Sequence, residues 1–170
     1  MGNKTLSIVV VTLAAVWFLS GCDNRDSKQA LERIAVQDVL SSYSLAVTRH
    51  DFDAIAPLFT PDGTWETVGT PAKFSFKGAE VGPGIKNAVE TAADLAQINT
   101  PAIITVSGDT ATARSTIHEF GDRADHSGRM AFTGVYDDKL VKMDGQWKFQ
   151  SRVFTLKQMW LLPYAPQKAQ

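Results

Sequence analysis

Two adjacent side chains, His118 and Glu119, are suited to moving a proton. In the stretch TATARSTIHEF, residues 110–120, side chains alternate as on a strand. Ala111, Ala113, Ser115, Ile117 and Glu119 share one face, and Thr112, Arg114, Thr116, His118 and Phe120 share the other. The first set is smaller and more apolar, so it is expected to face the core and to carry Glu119 inward near the strand's end. A partly desolvated carboxyl there holds its proton to higher pH and can act as acid or base. The alternative is a frayed strand end that leaves Glu119 solvated beside the GDRAD loop. His118 is the more versatile proton carrier, but it faces away unless a bulge reverses the register.

Other chemistries find no support in the sequence. The three histidines are scattered and no CxxC is present, which argues against a zinc site. There is no phosphate-binding glycine loop, so no cofactor is inferred. A net charge of −1 offers no field for nucleic acid. A single cysteine, Cys22, rules out an internal disulfide. Arg129 and Arg152 are anion-binding candidates, with surface or strand-edge salt bridges as the plainer expectation.

The elements that must position these groups read as helices first and strands after. Leu31, Ile34, Val36, Val39, Leu40, Tyr43 and Val47 recur at helical spacing, with Asp26 or Ser27 as caps and a stop near Arg49 and His50. DFDAIAPLF predicts a second, short helix capped by Asp51 and weakened late by Pro57. Pro61-Asp62-Gly63 is turn chemistry before a strand at residues 64–68, and KFSFK is a short strand with Phe74 and Phe76 on one face. Residues 85–96 predict a third helix, with Ile85, Ala88, Val89, Ala92 and Leu95 aligned. From there to residue 156 the pattern is strand and turn, with Asp137-Asp138 as a candidate bulge. The sum is an α+β domain whose helices cover one face of a curved sheet.

The N-terminus stands apart. Lys4 precedes LSIVVVTLAAVWFLS, apolar from Leu6 to Leu19 and about three-quarters of a bilayer span. Leu19-Ser20-Gly21-Cys22 resembles the lipobox of bacterial lipoprotein signal peptides, which implies lipidation of Cys22 and cleavage just before it. A lipidated thiol is an anchor and is not available for chemistry. Each buried lipid methylene contributes about 0.8 kcal/mol, so two or more chains hold a protein stably. The expected layout is a signal peptide at 1–21, a lipidated cysteine and polar tether at 22–29, a domain at 30–162 and a loose tail at 163–170. The expected location is the cell envelope, lipid-anchored and facing the periplasm, with Asp23 resembling an inner-membrane retention signal.

YSLAVTRHDFDAIAPLFTPDGTWE (43–66), VSGDTATARS (106–115) and GVYDDKLVKMDGQWKFQSRVFTLKQMW (134–160) together resemble the SnoaL-like branch of the nuclear transport factor 2-like superfamily. No single motif is diagnostic, but their order and spacing are fairly specific. The resemblance implies a cone-shaped α+β barrel: three N-terminal helices on a strongly curved, mainly antiparallel sheet, enclosing a pocket. Members include polyketide cyclases, dehydratases and steroid isomerases, and also binding and assembly modules, so the fold does not choose a function. In catalytic members an Asp often follows the helix-one Tyr, and a His lies near the end of helix three. Thr48 stands at the first position and Ala96 and Gln97 at the second, and none of them titrates as a general base must.

In such a cone Tyr43 is expected to offer its hydroxyl to a ligand carbonyl, or else to pack in the core. Tyr43, Val47, Trp65 and Phe132 are the expected pocket lining. Met159, Trp160, Leu161 and Leu162 are expected to seal the open end or to join a second subunit through the sheet face. The missing Asp and His favour a binding or accessory module for a small apolar molecule. The alternative is a lyase or isomerase in which Tyr43 works with Glu119 or His118 beside a carbonyl. A third reading is a structural dimerisation module.

Overall fold

The computed structural model describes residues 12–164, with side chains from Asn24 to Tyr164. Helix α1 runs Thr12–Thr48, followed by two single 3-10 turns, Phe52–Ala54 and Ala56–Leu58. The remaining elements are β1 (Phe59–Val68), β2 (Ser75–Lys77), α2 (Val81–Ala88), β3 (Ala92–Asn99), β4 (Ile103–Ser107), β5 (Thr110–Arg123), β6 (Gly128–Met143) and β7 (Gln146–Pro163). The strands form one seven-stranded sheet in the order β2-β1-β7-β6-β5-β3, with β4 also on β5. All pairings are antiparallel except β1 with β7. The sheet curves strongly without closing, and the helices lie in its concavity. This is the expected α+β cone.

Two bulges in β7 bend it. Lys139 pairs with Ser151 and Leu140 with Phe149, so Gln150 is extra; Thr133 pairs with Gln158 and Gly134 with Leu156, so Lys157 is extra. An unpaired residue kinks its strand and increases local twist. The bulges therefore fall on β7, facing Lys139/Leu140 and Thr133/Gly134, while the candidate Asp137-Asp138 pairs regularly with Val153 and Arg152. Gly134 sits at one of them, where a Cβ would collide with the Phe154 ring. A glycine there lets that ring lie against the sheet.

Helix α1 buries Val36, Leu40, Tyr43, Ala46 and Val47. Leu31 and Ile34, expected on the same face, are exposed. Helix α1 also continues through residues 22–29, with no cap at Asp26 or Ser27, so the expected tether is helical and its side chains from Asn24 on are exposed. Glu32 fastens the helix to the β6–β7 hairpin: Lys142 Nζ lies 2.7 and 2.8 Å from its oxygens and Trp147 Nε1 donates at 2.8 Å. Among the described residues no helix is long and apolar enough to cross a membrane. The Cys22 side chain lies outside the described side chains.

The two other expected helices are shortened. DFDAIAPLF forms the two 3-10 turns, and the Asp51 carboxylate makes no cap hydrogen bond. Pro57 lies in the second turn, without an N–H to extend it into an α-helix. The third helix ends at Ala88, and residues 92–99 pair with β5 instead. In that segment the apolar set serves a strand as well as a helix, since Ala92, Leu95 and Gln97 are buried about a bulge between Ala92 and Asp94.

Candidate functional site

One cavity of about 290 Å³ opens between the concave sheet, α1, α2 and the loop after β1. Its sheet wall is a single row running across four strands: Gln97 on β3 faces Glu119 on β5, Glu119 faces Phe132 on β6, and Phe132 faces Met159 on β7. All four line the cavity. Tyr43 and Val47 enter from α1, Trp65 from β1, and Ile85, Ala88 and Val89 from α2 and its C-terminal end. The lining is mainly apolar, with polar groups converging at one end.

Those polar groups form a connected set. Gln97 Nε2 donates to Glu119 Oε1 and lies 3.4 Å from the Tyr136 hydroxyl. Tyr136 meets Tyr43 edge to face, ring centroids 5.9 Å apart. The Trp65 indole N–H is enclosed without a hydrogen-bond partner among the described residues. Burial pushes the Glu119 carboxyl above the ordinary carboxylate range, against the Gln97 donor and the Arg152 charge. Burial likewise pushes the Tyr43 and Tyr136 phenols up, with the Arg152 charge opposing both, so both are neutral donors at any physiological pH.

Behind this end lies a buried cation. Arg152 is fully enclosed, with its guanidinium carbon 3.7 Å from the Tyr136 centroid, 4.1 Å from Tyr43 and 4.6 Å from Phe149. Its Nε is 3.4 Å from Asp138 Oδ1, with both side chains fully buried. The geometry gives an ionic contact but no hydrogen bond, and the three guanidinium nitrogens have no other partner among the described residues. Burial pushes the Asp138 carboxyl up to about 6, with Arg152 opposing.

The structure thus gathers Tyr43, Val47, Trp65, Phe132 and Glu119 around one space. It does not bring His118 there: β5 keeps its alternation, His118 is exposed on the outer face, and it lines no part of the cavity. Gln97 and Tyr136, not among the expected site residues, and Arg152, expected as an anion binder or a surface or strand-edge salt bridge, complete the polar end. Thr48 is a structural stitch: its Oγ1 accepts from the Gln97 N–H at 2.9 Å and lies 3.4 Å from the Gln97 carbonyl. The apolar cluster after the last expected strand, Met159, Trp160, Leu161 and Leu162, stays exposed, and Met159 alone of the four lines the cavity. No group of three or more His, Cys, Asp or Glu fit to hold a metal occurs among the described residues.

The profile of the SnoaL-like domain family matches residues 28–153. The chain belongs to that family. Among solved structures, this SnoaL-like domain is similar to a hexachlorocyclohexane dehydrochlorinase from Novosphingobium barchaimii, at 21% identity over 84% of this chain and 99% of that one, TM-score 0.72. It is similar to a putative scytalone dehydratase from Novosphingobium aromaticivorans, at 22% identity over 85% and 99%, TM-score 0.70. It is also similar to Rv3472, a Mycobacterium tuberculosis protein of unknown function, at 26% identity over 78% and 75%, TM-score 0.67. At these identities the first two likenesses establish the fold alone. No curated protein matches the chain.

Proposed function

We propose that the SnoaL-like domain takes up one small, mostly apolar molecule and turns one of its oxygen atoms toward Tyr43 and Glu119, in a binding or accessory role. The observation that carries this reading is the cavity of about 290 Å³ with an apolar wall and one polar end. Such a site binds by apolar burial and orients by a few convergent polar groups. Mass spectrometry of small molecules co-purifying with residues 25–170 tests it directly. A second check uses α-naphthol, a neutral apolar probe with one oxygen. Val47→Phe puts a ring into the space and is expected to weaken naphthol binding about tenfold or more, since about 1.4 kcal/mol is a factor of ten. Equal affinity in wild type and variant would rule the cavity out as the site.

A second reading is favoured by one specific feature, a desolvated carboxyl at the cavity wall. In it Glu119 exchanges a proton beside a ligand carbonyl that Tyr43 polarises, as a lyase or isomerase does. Two of the similar structures are named for eliminations, a dehydrochlorination and a dehydration. Glu119 would fill the proton-carrying role that Thr48 and Gln97 cannot.

The lipobox-like stretch supports attachment of this domain to a membrane through Cys22, on the periplasmic side. Cys22→Ala is expected to move the protein from the membrane to the soluble fraction of an expressing cell. Unchanged fractionation would rule that anchor out.

A further inference from the structure

Gln97 occupies an unusual position for an amide. It faces Glu119 directly across β3 and β5, with Nε2 donating to the carboxyl. Its own Oε1 is enclosed and has no hydrogen-bond partner among the described residues. A buried amide oxygen left without a donor is costly, so such an arrangement calls for a reason. Meanwhile the backbone of the same residue is held on both sides by Thr48 Oγ1, at 2.9 Å from its N–H and 3.4 Å from its carbonyl. Helix α1 thus fixes the strand where the amide projects.

Glu119 is complementary. Its Oε1 takes the Gln97 bond. Its Oε2 has no hydrogen bond among the described residues and is absent from the enclosed polar atoms, which leaves it open to the cavity. The charged and titratable groups nearest to Glu119 are Tyr43 from α1, Tyr136 from β6 and Arg152 from β7. None of them gives Glu119 a hydrogen bond, and α2 offers only apolar side chains to the lining.

We propose that Gln97 is a positioning residue for Glu119, its amide turning over with the proton: Nε2 donates to the carboxylate, and Oε1 accepts from the carboxylic acid. This rests on the proton-transfer reading of the cavity. A primary amide carries a donor and an acceptor of nearly equal shape at its two ends, so it serves both states of the carboxyl in place. A lysine or arginine at residue 97 would favour the charged state alone. An apolar residue would hold neither. Oε2 faces the ligand in the carboxylate, and a half-turn of the carboxyl about its Cγ–Cδ bond carries a proton taken there round to the Gln97 amide oxygen.

NMR on the full chain with carboxyl-labelled glutamate and amide-labelled glutamine tests this without any variant. The Glu119 carboxyl carbon and the Gln97 side-chain nitrogen are expected to shift with one common midpoint. Gln97→Met is expected to move the Glu119 midpoint upward, because the charge-assisted bond lost by the carboxylate is stronger than the neutral bond lost by the acid, and Glu119→Gln to remove the pH dependence of the Gln97 amide. A Gln97 amide indifferent to the Glu119 titration overturns the proposal. So does an unmoved midpoint in Gln97→Met with a native circular dichroism spectrum. Deuterium uptake at the α-carbon of β-tetralone separates this from the reading beneath it. There the carboxylate Oε2 takes the C–H proton as the C–H bonding pair becomes the enolate C=C and the carbonyl π pair moves onto its oxygen; the carboxyl exchanges that proton with D2O, and a deuteron returns to the same carbon as the oxygen pair re-forms C=O. Glu119→Gln is expected to lower that uptake roughly a hundredfold. Absent uptake in wild type alongside a common midpoint would sink the proton-transfer reading and leave the Gln97–Glu119 coupling supported.

Discussion

Arg152→Met is expected to destabilise the domain by about 3–5 kcal/mol, and a second change, Asp138→Leu, to restore much of that loss. The Arg152 and Asp138 side chains are fully buried, 3.4 Å apart, and neither has another polar partner among the described residues. Each ion is tolerable only because the other is present. Removing the guanidinium leaves the carboxyl to burial alone and also takes away a cation stacked on the Tyr43, Tyr136 and Phe149 rings. The loss depends on pH. With Arg152 in place the folded-state Asp138 already titrates at about 6, above its ordinary value. Its contribution to stability is therefore fully present below the ordinary carboxylate range and falls away as pH rises through about 6. Without Arg152 the folded-state value climbs further and the decline extends to higher pH. Urea unfolding at pH 5 and pH 8 should show the larger loss at pH 8. Equal losses at the two pH values would mean that packing against the rings, and not charge, holds this part of the core together.

Arg152 also shows why part of the site was hidden in the sequence. On β7 the inward residues begin as Trp147 and Phe149. Simple alternation from there puts Arg152 outside, where a surface salt bridge is the natural expectation. The extra residue Gln150 reverses the parity, so Arg152 and Phe154 face inward, and the extra Lys157 reverses it again so that Met159 does. A bulge depends on how two strands meet across a bent sheet, and nothing in the local residue pattern announces it. On β5, which keeps one register from Thr110 to Asp122 against β6, the same alternation rule placed Glu119 and His118 on opposite faces, as the structure does.

Gln97 was hidden for a different reason. The segment after Gly84 carries apolar residues at a spacing that suits a helix, and short runs of this kind do not separate helix from strand. The helix ends at Ala88, and the next residues find their hydrogen bonds along β5. Once residues 92–99 form a strand, Gln97 stands opposite Glu119 and its amide becomes the carboxyl's partner. The broad architecture was easier to read, because a helix followed by many β-prone runs leaves few other ways to cover one face of a sheet. The pairing that builds the polar end is tertiary, and it follows from which strands lie side by side.

The second large effect concerns Glu119 itself. Glu119→Gln is expected to raise stability by about 1–2 kcal/mol at pH 8 while removing the proton-exchange capacity of the cavity. Glutamine keeps the shape and can still pair with Gln97, but it brings no charge into the apolar wall. In the wild type, burial holds the folded-state carboxyl above its ordinary value, so the folded state binds the proton more tightly than the unfolded chain does. That contribution is fully present below the ordinary carboxylate range, near pH ~4.3, and is lost as pH rises through the folded-state value. The variant lacks this group, so its advantage should vanish toward pH 4 and grow toward pH 8. Asp138 gives both proteins the same slope up to about pH 6, and that slope cancels in the difference. Unfolding free energies of the two proteins across pH 4–8 measure it. A variant less stable than wild type at pH 8 would mean that Glu119 is a structural hydrogen-bonding group that the fold needs. A variant more stable there, and unable to exchange a proton with a carbonyl ligand, would show a carboxyl that weakens the fold at the pH where its chemistry is useful.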